Sequence, residues 1–496
     1  MPLLEWVSDD ACVEGSEADR QRWPKGELMR QVDVCRAGLL KAVGSRARIG
    51  LIAENSPRWI AIDLAAHSAD IDLVPLPGFF TIEQLLHAIH ASRLDAIFCP
   101  AAGLAASLGF TEERFDARGL RLFAMRSGIA CYSGSREENY GHKITFTSGS
   151  TGRPKGVVLS MRQQLRATRG LADISTRIGI RRHLCALPLA VLLENVAGVY
   201  TALNIGATCI CPPSAEIGLI GSSAFDPERC LETIARYRAD SMILLPQMLR
   251  LIVAKLARVG APDPRVRTLK YVTVGGAKTS VALIERARSL GLPVYEGYGL
   301  TECGSVVSVN SPGADRLGTV GRPLPGVRVR VSADGELEIG GRSFSGYLGS
   351  RAADPGEWLA SGDLGEIDAE GFICIAGRKK NVIVTSFGRN VSPEWPESLL
   401  LESPAVEQVA VYGEACPHLM AVLVPSSRHA SDAELESAVA CANVRLPDYA
   451  RVRHWIRARE PFTAQNGLAT GNGRVSREAV QASYKRELGA LQEGTQ

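Results

Sequence analysis

At 496 residues the chain exceeds one ordinary domain, and its length suggests about three or four core-sized units. Hydrophobic residues make up 46% and charged residues 22%, the balance of a globular protein. A formal charge of +3 is too near neutral to support a nucleic-acid footprint, so no nucleic-acid partner is expected.

The 12 cysteines are scattered and contain no CxxC pair. Neither Cys185 nor Cys303 has metal-ligand spacing to a second cysteine or histidine, so we read reduced, packed thiols in a cytoplasmic protein. Met1-Pro-Leu-Leu-Glu-Trp-Val-Ser-Asp-Asp lacks the basic and apolar regions of a signal peptide. The longest apolar stretch, 184–213, is interrupted by Glu194, Asn195 and Asn204 and falls short of the roughly 20 clean residues of a membrane helix. No transmembrane segment is expected, and a peripheral membrane contact stays open.

In chain order, 48–53 reads as a buried strand, 57–69 as a helix and 72–76 as a second strand. A Thr81 N-cap with a helix through Ala91 follows, then a strand at 95–98. That alternation predicts βαβ units and a mostly parallel sheet. Strands at 208–211, 241–245 and 271–274, separated by helices at 227–237, 247–259 and 280–290, predict a second one. From 326 to 375 short strands with Gly and Asp turns (327–331, 335–339, 372–375) suggest a small antiparallel unit. Beyond Gly377, strands at 406–412 and 420–424 and a helix at 431–442 read as a separate α+β domain.

Lys143-Ile-Thr-Phe146 approaches, as a strand, a run in which Thr147, Ser148, Ser150 and Thr151 alternate with Gly149 and Gly152. Lys155 follows, then a strand at 157–159. Small residues let backbone N–H groups converge on an anion, hydroxyls add donors, and lysine supplies a compact charge. A Ser/Gly surface turn is the competing reading, disfavoured by the two flanking strands and the terminal Pro-Lys-Gly. Lys155 is followed by Gly156, so the loop is not a Walker A motif.

Thr147–Gly156 resembles the phosphate loop of the adenylate-forming superfamily of acyl-CoA synthetases, peptide-synthetase adenylation domains and luciferases. Further motifs follow in that family's order. Tyr295-Glu-Gly-Tyr-Gly-Leu-Thr-Glu302 resembles the segment in which an aromatic stacks on adenine and a Thr-Glu pair meets AMP and magnesium. The resemblance thereby implies that Tyr298 binds adenine, that Thr301 and Glu302 are catalytic, and that Glu302 is the metal ligand. Gly275-Gly276-Ala277 matches the stretch lining the adenine pocket, and Asp363 of Ser361-Gly-Asp363 matches the aspartate that binds ribose hydroxyls. In Gly377-Arg378-Lys-Lys380-Asn381, Arg378 would contact ribose and Lys380 would be the hinge.

Leu187-Pro-Leu-Ala-Val191-Leu-Leu-Glu194-Asn195 stands where fatty-acyl-CoA synthetases carry Leu-Pro-Leu-Ala-His, which implies an acyl pocket with Val191 and Glu194. Gln465-Asn-Gly-Leu468, Glu54-Asn-Ser-Pro-Arg-Trp59 and Ser386-Phe-Gly388-Arg389-Asn-Val-Ser-Pro393 point to the same long-chain branch. By that resemblance Gly388 and Arg389 stand on the thiol side. No Phe-Asp-x-Ser follows the phosphate loop, and an uncharged pocket suits a fatty or aromatic acid better than an amino acid.

Two departures from the family stand out. Val191 replaces the usual histidine, and Gly471-Asn-Gly473-Arg474 puts arginine where the family carries its catalytic lysine. Arginine keeps the charge but presents a wider, forked head. Because the other ATP motifs are intact, we read Arg474 as an adapted catalytic residue beside Lys155, with impaired adenylation as the alternative.

The expected fold is α/β. An N-terminal domain, 1–377, carries two parallel-type sheets and a small β unit, and a small mobile α+β domain covers 378–496. The expected function is ATP- and Mg2+-dependent activation of a carboxylic acid and transfer to a thiol, that of CoA or of an acyl-carrier protein. An ATP- or acyl-AMP-binding protein with weak adenylation is the competing expectation.

Overall fold

The computed structural model describes residues 4–16, 21–117, 119–125, 141–147, 155–220, 224–259, 263–341, 344–350, 354, 356–470 and 474–493. The first sheet has eight strands. Their order is Gly346–Tyr347, Lys155–Leu159, Lys143–Thr147, Asp72–Pro75, Arg48–Leu51, Ala96–Cys99, Arg121–Met125 and Phe110–Asp116. Its centre is parallel, as the alternating pattern predicts. Both rims are antiparallel, so the sheet is less uniformly parallel than expected. The hairpin of Lys143–Thr147 with Lys155–Leu159 pairs Thr147 with Lys155 at the root of the phosphate-loop segment.

The second sheet has nine strands. The five from Val294–Tyr298 through Tyr271–Val274, Ser241–Leu244, Arg182–Leu184 and Thr208–Ile210, with Cys12–Glu14 beyond them, run parallel. Strands buried on both faces must be apolar throughout. Ile49, Leu51, Leu73, Ile97 and Phe98 in one sheet and Met242, Leu244, Val272 and Val274 in the other satisfy that demand. Thr81 and Gln84 form the expected capping box on Ile82–Ser92.

The antiparallel unit has four strands: Arg328–Val331, Glu336–Gly340, Leu359–Ile367 and Ile373–Arg378. Leu359–Ile367 was not anticipated, because Ser361-Gly362-Asp363 is a poor strand sequence. Gly362 takes φ 74°, and the ladder is irregular next to it.

The C-terminal part is a separate α+β body. Its sheet joins Val406–Tyr412, Leu419–Pro425 and Val452–Arg457. The middle strand sends Leu419, Ala421 and Leu423 into one core and Met420, Val422 and Val424 into another. Both faces are therefore covered by residues of the same body.

Between the two large sheets the chain forms a π-helix, Glu194–Tyr200, and continues as the α-helix Thr201–Ile205. Its wide turn carries a buried polar network. Lys143 Nζ lies 2.8 Å from Asp63 Oδ1 and donates to Tyr200 Oη at 2.9 Å and to Asn195 Oδ1. Asp63 Oδ2 accepts from Asn195 at 3.0 Å and Tyr200 at 2.8 Å. Burial lowers the Lys143 pKa against the pull of Asp63, and it raises that of Tyr200. Breaking one side of such a pair strands a buried charge. Lys143→Met is expected to lose about 3 kcal/mol or more of stability in urea unfolding, and Lys143→Met with Asp63→Leu to recover most of it.

Candidate active site

Strands Tyr271–Val274 and Val294–Tyr298 are parallel neighbours whose carboxyl ends lead into Gly275-Gly276-Ala277 and into Gly299-Leu300-Thr301. The crevice outside such strand ends is where open α/β sheets take ligands. Backbone crowding explains the glycine at one rim position: a Cβ on Gly299 would lie 1.7 Å from the Ser305 carbonyl oxygen. Gly276, Ala277 and Lys278 are exposed on the other rim.

On that crevice the antiparallel unit presents its ladder end. Asp363 and Arg378 stand opposite one another, and Arg378 Nε lies 2.9 Å from Asp363 Oδ1. Tyr298 Oη donates to Asp363 Oδ2 at 2.6 Å. Burial raises the Asp363 pKa, while Arg378, Tyr298 and Arg474 pull it down. Tyr298 is pushed up by burial and by the Asp363 carboxylate.

Arg474 enters from the C-terminal body, 198 residues from Gly276, and its guanidinium donates to the Gly276 carbonyl. Its loop is closed by Thr470 N donating to Arg474 O at 2.7 Å and Arg474 N donating to Thr470 Oγ1 at 3.2 Å. The residue as a whole is exposed, yet its guanidinium is crowded enough that desolvation, then the charge of Arg378, lowers its pKa. Arg378 is paired with Asp363 while Arg474 acts on it through its charge, and Glu394 is a second carboxylate within reach of the same group. Lys278, which donates to the Ile375 carbonyl at 3.0 Å, ties the glycine rim to the antiparallel unit.

A second group joins the phosphate-loop hairpin to the Thr-Glu turn. Tyr347 Oη donates to Glu302 Oε1 at 2.9 Å, and Lys155 Nζ stands 5.6 Å from the centre of the Tyr347 ring. Thr301 and Glu302 lie half-exposed on the single turn Thr301–Cys303. Tyr347 escaped the sequence reading because its strand, Gly346–Tyr347, has two residues and no periodicity. The Glu302 carboxylate supplies hard oxygen donors, which suit Mg2+.

The remaining expected residues are dispersed. Ser148, Gly149, Ser150, Thr151 and Gly152 lie outside the described residues. Thr147 pairs with Lys155 across the hairpin. Val191 is half-buried ahead of the π-helix. Glu194 is fully buried, with Oε1 2.9 Å from His183 Nε2 and Oε2 accepting from Leu187 N at 2.9 Å. Lys380 is exposed on the turn Lys379–Asn381. Gly388 and Arg389 stand at the tip of the hairpin Ile383–Val384 with Asn390–Val391, beside the largely exposed Phe387.

Spacing alone suggested no ligand set around Cys185, but the fold brings ligand atoms of His183, Cys185 and Glu194 within 4.8 Å of one another. Residues two apart on a strand share a face, and the π-helix returns Glu194 to it. The carboxylate is already shared by His183 and Leu187, and Cys185 Sγ lies 3.6 Å from Cys209 Sγ. Burial holds the Cys185 thiol well above its usual pKa. This cluster is satisfied as a hydrogen-bonded core.

A family model described as AMP-binding enzyme matches residues 6–351, and one described as AMP-binding enzyme C-terminal domain matches 380–496. This chain belongs to the AMP-binding enzyme family. Its class is that of the AMP-forming acid–thiol ligases. The long-chain-fatty-acid–CoA ligase FadD15 of Mycobacterium tuberculosis is 26% identical, over 70% of this chain and 68% of its own length. The 3-[(3aS,4S,7aS)-7a-methyl-1,5-dioxo-octahydro-1H-inden-4-yl]propanoyl:CoA ligase of that organism is 28% identical, over 80% of this chain and 82% of its own. Among solved structures, the anthranilate CoA ligase AuaEII in complex with anthranoyl-AMP has the same fold. Its TM-score is 0.77 at 18% identity, with 99% of this chain and 96% of that one covered.

Behind the glycine rim, Glu296 accepts from Thr279 N at 2.9 Å and is pushed up to about 7 by burial. That value stands above the ordinary 4.5, so the stability it contributes is complete below about pH 4.5 and lost as the pH rises through about 7. Glu296→Gln is expected to raise stability by up to about 3 kcal/mol near pH 8 and to change little near pH 4, read from urea midpoints at both.

Proposed function

We propose that this enzyme joins a fatty or aromatic acid to ATP as an acyl-adenylate and then passes the acyl group to the thiol of CoA. The observation that supports this most strongly is the convergence of Arg474 with Gly276, Asp363 and Arg378, which joins the two parts of the chain over one crevice. In this reading adenine lies against Tyr298 and the rim at Gly276 and Ala277, and the ribose hydroxyls bond Asp363. A carboxylate has about four acceptor sites, so Asp363 can keep Tyr298 and Arg378 while taking ribose. Arg378 stands beside the same sugar.

The acid's carboxylate oxygen attacks the α-phosphorus, and pyrophosphate leaves with the bonding electron pair. Arg474 and Lys155 stabilise the charge that builds on the phosphoryl oxygens, a preorganised electrostatic contribution. Thr147, Ser148, Gly149, Ser150, Thr151 and Gly152 cradle the β- and γ-phosphates, with Thr301 beside the α-phosphate. Mg2+, held by Glu302, neutralises phosphate charge when bound. Tyr347 fixes the Glu302 carboxylate for that task.

In the second half the thiol sulfur attacks the acyl carbon and AMP leaves. The units 1–377 and 378–496 turn about Lys380, withdrawing Arg474 and bringing Gly388 and Arg389 to the thiol. An acyl-carrier protein is the alternative acceptor. The long-chain fatty acid in the name of the FadD15 relative supports an apolar pocket around Val191 and the helix bearing Glu194.

Carboxylate-dependent exchange of pyrophosphate into ATP tests the first half, and silence across a panel of fatty and aromatic acids would sink it. Arg474→Ala is expected to slow exchange by about two to three orders of magnitude. Arg474→Lys is expected to bring no gain, and a large gain would mark the arginine as a defect. Tyr347→Phe is expected to raise the Mg2+ concentration needed for half-maximal exchange about tenfold, seen as a rightward shift of a Mg2+ titration.

A further inference from the structure

A cavity of about 40 Å3 lies between the second sheet and the helices packed on it. It has room for about three heavy atoms on the measure of roughly 10–15 Å3 per water. Most of its lining is apolar, including Leu171, Ile180, Ala202 and Ile205, but its floor is polar: Ser241 and His183 both face it. They stand at the amino-terminal half of their strands, whereas Thr273 lines it toward the crevice end.

The polar floor is a relay. Glu194 Oε1 lies 2.9 Å from His183 Nε2, and His183 Nδ1 meets Ser241 Oγ at 3.0 Å. Gly198 makes room for it, because a Cβ there would lie 2.1 Å from Glu194 Oε1 and 2.5 Å from His183 Nε2. If Ser241 donates to Nδ1, a lone pair stays unused. If Nδ1 is protonated, the hydroxyl proton is free instead. A hydroxyl group presented by a ligand satisfies either arrangement, since it both donates and accepts.

The cavity also has an approach. Leu193, Ala197 and Thr201 follow one another at four-residue spacing along the π-helix and its extension, and so share a face. Ala197 and Thr201 line the cavity. Val191, Leu193, Ala197 and Thr273 are half-buried, as is Ile205, while the rest of the cavity lining is buried. Thr273 is three residues from Gly276, about 10 Å along a strand.

We propose that the far end of the acid enters this cavity and that Ser241, held by His183 and Glu194, hydrogen-bonds a hydroxyl there. The preferred substrates are then elongated apolar acids hydroxylated at the end remote from the carboxylate. This rests on the ligase reading, with the acid lying along the π-helix.

The test compares decanoic acid, ω-hydroxydecanoic acid and hexanoic acid in pyrophosphate exchange by the full chain. The native enzyme is expected to favour ω-hydroxydecanoic over decanoic acid by about five- to tenfold in kcat/KM, the worth of one hydrogen bond. Ser241→Ala is expected to bring that ratio to about one. Ala197→Leu, which fills the approach without touching the relay, is expected to depress both longer acids more than hexanoic acid. Exchange with a native ratio of one or below, or a ratio unmoved by Ser241→Ala, overturns the hydroxyl assignment and leaves the ligase reading standing. Unequal effects of Ala197→Leu in the opposite sense overturn the placement of the acid. Absence of exchange with every acid overturns the ligase reading and this inference together.

Discussion

The buried Lys143–Asp63 pair is the constraint on which the working parts of the N-terminal body depend. Lys143 begins the strand that ends at Thr147, Asp63 lies on the buried helix Pro57–Ser68, and both are bonded by Asn195 and Tyr200 of the π-helix. An ion pair in such a place is a weak source of net stability, because desolvation consumes much of the Coulombic gain. Its consequence here is register. Lys143 offers three donors and Asp63 only acceptors, so the strand, the buried helix and the π-helix must meet in one arrangement. The hairpin that carries Lys155 is thereby set against the π-helix.

The crevice above is organised by charges of both signs. Asp363 answers Arg378 and the approach of Arg474, with Glu394 as a second carboxylate acting on it. Glu302 is committed to Tyr347 through Oε1. Arg474 belongs to the C-terminal body, so its bond to the Gly276 carbonyl ties the two parts of the chain together at this point.

Much of this was legible in the sequence, for identifiable reasons. Strands buried on both faces announce themselves as apolar runs, so 271–274 is legible as the strand Tyr271–Val274. The crevice residues were legible only through resemblance, since no periodicity distinguishes Asp363 or Arg378. The strand Leu359–Ile367 was hidden by its own functional segment, whose Ser, Gly and Asp oppose strand formation. Tyr347 was hidden by the shortness of its strand. Lys143 carried no signal either: a lysine at a strand start ordinarily points to water, and only the tertiary meeting with Asp63 reveals it as core.

The π-helix explains why these parts belong together. A wide turn is an unfavourable way to continue a helix, and such turns persist where surrounding contacts over-determine them. Here two consecutive residues point their polar ends to different partners, Glu194 to His183 and Leu187 and Asn195 to Lys143 and Asp63. His183 belongs to the second sheet and Lys143 to the first, so this one segment is bonded to both. A displacement of this segment is therefore felt at Lys143, at the start of the strand that ends at Thr147. The coupling runs through hydrogen bonds, so the two sheets and the helix between them are held by one connected set of groups.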